Sequence, residues 1–251
     1  MTINFLNSSL FAKRVLNKIG RPYGINPFPR SFANHLATGD VQRSGVFDAV
    51  YLNNFWGSTQ SRSGLGSELE FTADYRLELS ALIRQLDIKS IFDAPCGDMN
   101  WMQLILKEHQ IEYIGGDISK SLVELLKEQF PKLDVRRFDI CVDRFPPVQL
   151  WHCRDCLFHL PFTDIKKALK NFVDSDIPYA LFTTHRARFL HKNLDVSIGG
   201  FRYLDLNRPP FNFPPAIKYL KDYKKRVDFP RFVGLWTKDT VAAILNKWPV
   251  S

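Results

Sequence analysis

The spacing of apolar residues changes along this chain, and each change marks an element. From Ser67 to Asp87, the residues Leu69, Tyr75, Leu79, Leu82 and Leu86 share a face, the last four stepping by three or four as on a helix. "SIFDAP" (90–95) reads as a short buried strand, "NWMQLILKEH" (100–109) as a helix, and "IEYIGGDIS" (111–119) as a strand with its turn. "SKSLVELLKEQF" (119–130) is a helix with Ser119 as its N-cap, and "LDVRRFDI" (133–140) and "VQLWHCRD" (148–155) are strands. "TDIKKALKNFVDS" (163–175) is a helix capped by Thr163 or Asp164, and "YALFTTH" (179–185) is a strand. Two more strands are expected within 201–223 and at "RFVGLWT" (231–237), then a last helix over 237–248.

Strands alternating with helices of about ten residues are βαβ units, and βαβ units build a parallel sheet with helices on both faces. The expected fold is therefore α/β, a Rossmann-like, doubly wound, mostly parallel sheet. Residues 20–67 are irregular and rich in Gly, Pro, Ser and aromatics, so 1–70 is read as an N-terminal arm and cap, and 71–251 as the sheet domain. Ligands of such sheets bind beyond the carboxyl ends of the strands, at the point where strand order reverses.

Composition narrows the class. The 251 residues are 45% hydrophobic and 24% charged, which suits a globular domain with a real core. The net charge of +8 fits either solubility or an anionic partner, and much of the excess lies in "KYLKDYKKRVDFPR" (218–231). The four cysteines are too few for a disulfide scaffold, and Cys153 and Cys156 lack a second metal-spaced pair. They are expected to be buried free thiols in a reduced, cytoplasmic protein. No apolar run approaches the roughly 20 residues of a membrane-spanning helix. The N-terminal 24 residues are basic and mildly amphipathic, with no signal-type core.

The chemistry concentrates at strand ends. Asp93 closes the first strand and leads into the turn Pro95-Cys96-Gly97-Asp98. Asp117 closes the second strand, 24 residues on, where an acid holds a ribose diol through charge-assisted hydrogen bonds. Asp139 closes the third and is placed to accept from an adenine amino group. Each acid alone is equally readable as a helix cap; together they describe a pocket for an adenosine-containing ligand. A dinucleotide site wants three glycines and no acid facing the phosphates. This turn has one glycine and two carboxylates, which repel phosphate but suit a sulfonium. That balance favours S-adenosylmethionine over NAD.

With these motifs in place, the segment from about 88 to 185 resembles a class I S-adenosylmethionine-dependent methyltransferase. "FDAPCGD", "YIGGDIS", "RRFDI" and "LWHCRDCLFHLPF" are similar to that family's first four motifs, although Pro95 and Met99 stand at outer glycine positions and only Gly97 is kept. The upstream "WGSTQSRSGLGS" and downstream "GGFRYLDLNRPPFNFPP" resemble a bacterial branch associated with small-molecule or cell-surface glycan methylation, hence with polysaccharide biosynthesis. The resemblance implies that Asp93 and Gly97 line the methionine end of the cofactor, Asp117 the ribose and Asp139 the adenine. Ala94, Cys96, Asp98, Trp101, Ile118, Ile140 and Arg154 would also lie at the cofactor.

An alcohol nucleophile needs a base, and histidine suits that role. His159 lies four residues after Asp155, a spacing that on a helical turn allows an oriented pair, and His185 closes the fifth strand. Each also has a structural reading, as a core histidine or a loop anchor. His152, within a strand, is read as structural. Arg154 would hold an anionic substrate or pair with Asp155. In 193–215, Arg202, Asn207 and Phe211 are the substrate-side candidates. Oxygen is favoured as the acceptor atom because no Asn/Asp-Pro-Pro-Tyr/Phe motif follows the fourth strand. No metal-ligand spacing is evident. The expected partner is a small-molecule or glycan substrate, with nucleic acid disfavoured for lack of a basic stripe interleaved with aromatics. An RNA or protein methyltransferase and a non-catalytic adenosylmethionine-binding subunit are the alternatives.

Overall fold

The computed structural model describes residues 40–186, 191–222 and 230–248. The amphipathic N-terminal stretch and the 223–229 part of the basic patch lie outside the described residues.

The elements, in chain order, are α1 (Asp40–Leu52), a 3₁₀ turn (Leu65–Ser67), α2 (Ala73–Gln85), β1 (Ser90–Asp93), α3 (Met102–Glu108), β2 (Glu112–Asp117), α4 (Lys120–Gln129) and β3 (Asp134–Arg137). There follow β4 (Leu150–Cys153), a 3₁₀ turn (Leu157–His159), α5 (Phe162–Val173), β5 (Tyr179–His185), β6 (Lys218–Lys221), β7 (Arg231–Thr237) and α6 (Lys238–Leu245). The seven strands lie in the order β3-β2-β1-β4-β5-β7-β6. Strands β1 to β5 are parallel, and β7 runs antiparallel to both β5 and β6. The doubly wound, mostly parallel reading therefore holds. The order reverses between β1 and β4, so the crevice opens at their carboxyl ends.

Parallel strands buried on both faces need apolar side chains on both, and these have them. Ile91, Leu150 and Leu181 point to one face, where they meet Leu79, Leu82 and Leu126. Their neighbours Phe92, Trp151 and Phe182 point to the other and meet Ile165, Leu169 and Trp236. The four cysteines are buried and free, as expected.

Two helix starts differ from expectation. Helix α2 begins at Ala73 rather than Ser67, because the chain before it is held elsewhere: the Asn100 side-chain amide donates to Ser67 O at 2.9 Å. Helix α5 begins at Phe162, and neither Thr163 nor Asp164 caps it. Its exposed first donor, Phe162 N–H, goes to Asp195 Oδ1 at 2.8 Å, a cap supplied from a distant loop. Asp164 instead turns inward to the buried Arg43. Ser119 caps α4 as expected, accepting from Leu122 N–H at 3.3 Å.

Candidate functional site

A cavity of about 230 Å³ lies beyond the carboxyl ends of β1, β2 and β4. Its floor is the turn after β1. Gly97 adopts φ 56, a conformation glycine takes without strain, and this aims its N–H at Asp117 Oδ2, 3.1 Å away. Ser119 N–H donates to Asp117 Oδ1 at 3.0 Å. Burial pushes the Asp117 carboxyl up to about 6, against the opposing pull of those two N–H groups. Each oxygen carries one protein hydrogen bond from these donors and has room for another. A vicinal diol is the ligand group that would supply both.

The other two strand-end acids are met by side chains from elsewhere in the chain. Asp93 is buried; His152 Nδ1 lies 2.6 Å from its Oδ1, and the Tyr113 hydroxyl donates to its Oδ2 at 2.9 Å. With Nδ1–H given to Asp93, His152 Nε2 receives the Tyr75 hydroxyl at 2.8 Å. Asp93 thus shapes the cavity wall through a hydrogen-bonded chain, and His152 is part of that chain. Asp139 accepts from Arg43 at 2.9 Å and from Cys141 N–H at 2.9 Å. Arg43 comes from α1, so the cap helix completes this end of the cavity.

At the end of β4, Arg154 donates to Asp222 (2.8 Å) and to Gly66 O (2.8 Å), with its guanidinium over the rings of Tyr75 and Trp101. Asp155 lies 3.5 Å from Arg154 and 3.1 Å from Arg231. Burial works to raise its carboxyl, but Arg154 and Arg231 outweigh this and hold it below the usual range. The expected Asp155–His159 hydrogen bond does not form. His159 Nδ1 instead lies 2.6 Å from Gly200 O and donates to it, which leaves the lone pair on Nε2. The main chain is fastened too, since Gly199 N–H donates to His159 O at 2.9 Å.

Of the predicted site residues, the structure brings Asp93, Cys96, Gly97, Trp101, Asp117, Ile118, Asp139, Ile140, Arg154, Asp155 and His159 to the cavity wall. It places six elsewhere. Ala94 is fully buried and accepts from the Trp151 indole at 2.9 Å. Asp98 turns away to the cap, accepting from Ser61 Oγ, Ser63 Oγ and Arg62 N–H. His185 sits behind the wall against the Leu204 backbone; burial and then Arg231 drive it down to about 3, so it is neutral. Arg202 is buried and donates to Leu157 O and Leu160 O, bracing the turn that carries His159; burial lowers it to about 10. Asn207 donates to Phe213 O, and Phe211 packs on Phe162 and Trp248.

The wall also holds residues that the motifs did not single out: Arg43, Trp56, Ser63, Leu65, Phe201 and Arg231. Most belong to the cap or to late loops, where no strand-end rule points. The signal available was the glycine-spaced "WGSTQSRSGLGS", whose Gly66 packs so tightly that a Cβ would lie 2.8 Å from Asp155 Oδ2.

No family model and no curated protein matches the sequence. Among solved structures, the fold is similar to magnesium protoporphyrin IX methyltransferase from Synechocystis PCC 6803 with bound SAH. The TM-score is 0.55 at 9% identity, covering 77% of this chain and 97% of that chain. It is also similar to human N-acetylserotonin methyltransferase in complex with SAM, at a TM-score of 0.52 and 14% identity, covering 76% of this chain and 58% of that one. The seven-stranded sheet with helices on its faces is the Rossmann-like fold of class I methyltransferases.

Proposed function

We propose that this chain is an S-adenosylmethionine-dependent methyltransferase that methylates a hydroxyl oxygen of a small-molecule acceptor, with His159 as general base. The observation that carries the reading is Asp117: a buried carboxylate at the end of β2, with one protein hydrogen bond on each oxygen, facing a cavity at the sheet's reversal point. A ribose diol satisfies it. The Cys96–Gly97 turn and Trp101 then face the methionine end, with Arg154 beside them. Ile118, Ile140 and the Arg43–Asp139 pair face the adenine end.

The cofactor, when bound, supplies a methyl group already activated on a sulfonium. The chain's own work is to hold the acceptor in line, exclude water and take a proton. His159 is suited to the last task because Gly200 fixes its tautomer and orientation. Asp155 is not, because Arg154 and Arg231 stabilise its charged form and make it a weak base. Among the described residues, no group of three or more His, Cys, Asp or Glu is placed to hold a metal ion. No described helix is long and apolar enough to cross a membrane.

The test is a thermal-shift series with S-adenosylmethionine, S-adenosylhomocysteine and NAD. A ligand at about 100 times its Kd adds roughly 2.7 kcal/mol of stability, and the two sulfur nucleosides should each give that shift while NAD gives none. Asp117→Ala should abolish the shift. A shift with NAD alone would overturn the reading.

A further inference from the structure

Once the ends of β1, β2 and β3 are given to the nucleoside, much of the cavity wall that remains among the described residues is aromatic, with Ser63, Asp155 and Arg231 as polar members. The Trp56 ring lies 5.4 Å from the His159 ring at 30°, Phe158 at 4.5 Å and Phe201 at 6.0 Å. Leu65 stands beside them and is 44% exposed. The polar side chains at this end are already engaged with protein. Asp155 and Arg231 pair at 3.1 Å, Arg231 reaches Asp222 at 2.7 Å, and the Ser63 hydroxyl donates to Asp98. The Gly66 backbone packs so closely on Asp155 that a Cβ there would lie 2.8 Å from its Oδ2.

We propose that the acceptor is a flat conjugated ring carrying one acidic hydroxyl, a phenol or enol, seated on Trp56 and Phe201 with its oxygen at His159. This rests on the methyl-transfer reading above and narrows its acceptor away from a glycan. A sugar entering here would strip water from several hydroxyls and find few partners. A conjugated ring stacks on aromatic faces and has a single polar group to satisfy. The chemistry agrees. A neutral imidazole, with an ordinary pKa of about 6.5, takes a proton far more readily from a phenol near 10 than from an aliphatic alcohol. In the step, the ring oxygen forms a bond to the methyl carbon as the carbon–sulfur bond breaks. The electron pair of that bond stays on sulfur, which becomes a neutral thioether, and the hydroxyl proton passes to His159 Nε2.

The experiment uses the purified full chain with methyl-labelled S-adenosylmethionine and a panel of 7-hydroxycoumarin, 1-naphthol, cyclohexanol and methyl α-glucoside. Label should enter the two phenols at least about 100-fold faster than the two aliphatic alcohols. Trp56→Ala and Phe201→Ala should raise KM for 7-hydroxycoumarin about tenfold with the Kd for S-adenosylhomocysteine unchanged, and Trp56→Phe should restore most of it. That unchanged Kd also shows that the variants fold. Preference for the glucoside, or phenol turnover indifferent to both collar variants, overturns the proposal. Normal S-adenosylhomocysteine binding with no labelling of any ring overturns the acceptor class and leaves the cofactor reading standing. Absence of that binding overturns the cofactor reading itself.

Discussion

Asp117 is a carboxylate held between two backbone N–H groups in a place water barely reaches, and its raised pKa is the consequence. The sign of its effect on folding follows. A folded value of about 6 against an ordinary 3.8 means the native state holds this proton more tightly than the unfolded chain. The ligand-free protein therefore gains from Asp117 at low pH and loses that gain as pH rises from about 4 to 6, by roughly 3 kcal/mol at most. On the proposed ribose contact binding runs the other way, since a carboxylate accepts from both hydroxyls only in its charged form. Affinity for S-adenosylhomocysteine should be greatest above pH 6 and fall up to about tenfold per pH unit below it. Calorimetric titration between pH 4.5 and 8 checks this, and Asp117→Asn should flatten the profile. His185, driven down to about 3, stays neutral across that range. His185→Gln should therefore leave the pH profile of turnover unchanged, whereas His159→Gln should lower turnover by about 100-fold or more.

At the scale of elements, the cap segment is the part most dependent on a few bonds. Asp98 takes Ser61 Oγ at 2.9 Å, Arg62 N–H at 2.8 Å and Ser63 Oγ at 3.2 Å, fastening residues 61–63 to the turn after β1. Its own N–H donates back to Ser63 Oγ at 2.9 Å. Asp98→Ala should release this segment, raising amide hydrogen exchange over residues 58–67 while β1, β4 and β5 keep their protection. Equal loss of protection in the strands would show that Asp98 supports the sheet instead. Helix α4 offers a smaller test. Removing the Ser119 hydroxyl loses its N-cap and its 2.6 Å bond to Asp48, so Ser119→Ala should cost about 1–2 kcal/mol in denaturant unfolding.

Across the whole molecule, two buried ion clusters join parts that the sheet alone leaves separate. Arg43 ties α1 to Asp139 after β3 and to Asp164 on α5. Asp222, fully buried after β6, lies between Arg154 after β4 and Arg231 on β7. Removing one member leaves the others buried and uncompensated. Arg43→Ala should therefore destabilise by about 3–5 kcal/mol and, on the proposed cofactor site, also weaken S-adenosylhomocysteine binding, because Arg43 and Asp139 line the cavity. Loss of stability with full affinity would separate the cap helix from the site.

From Ala73 onward the alternation of apolar runs was enough to give element type and order, whereas helix α1 (Asp40–Leu52) forms within the stretch read as irregular. Each run had to bury a face, and a parallel sheet covered by helices is the arrangement in which all of them can. It was also enough to place Asp117, because a strand end and its turn are local. What only the tertiary structure decided was which side chains reach the cavity. Asp93 is met by His152, 59 residues away, and Arg202 by Leu157 and Leu160, more than 40 residues away. Asp155 is claimed by Arg231 rather than by its near neighbour His159. Much of the rest of the cavity wall, Trp56, Ser63, Leu65 and Phe201 among it, comes from the cap and the late loops. Periodicity reports on neighbours in sequence, whereas a buried polar group is satisfied by whichever partner the folded chain brings within hydrogen-bond reach.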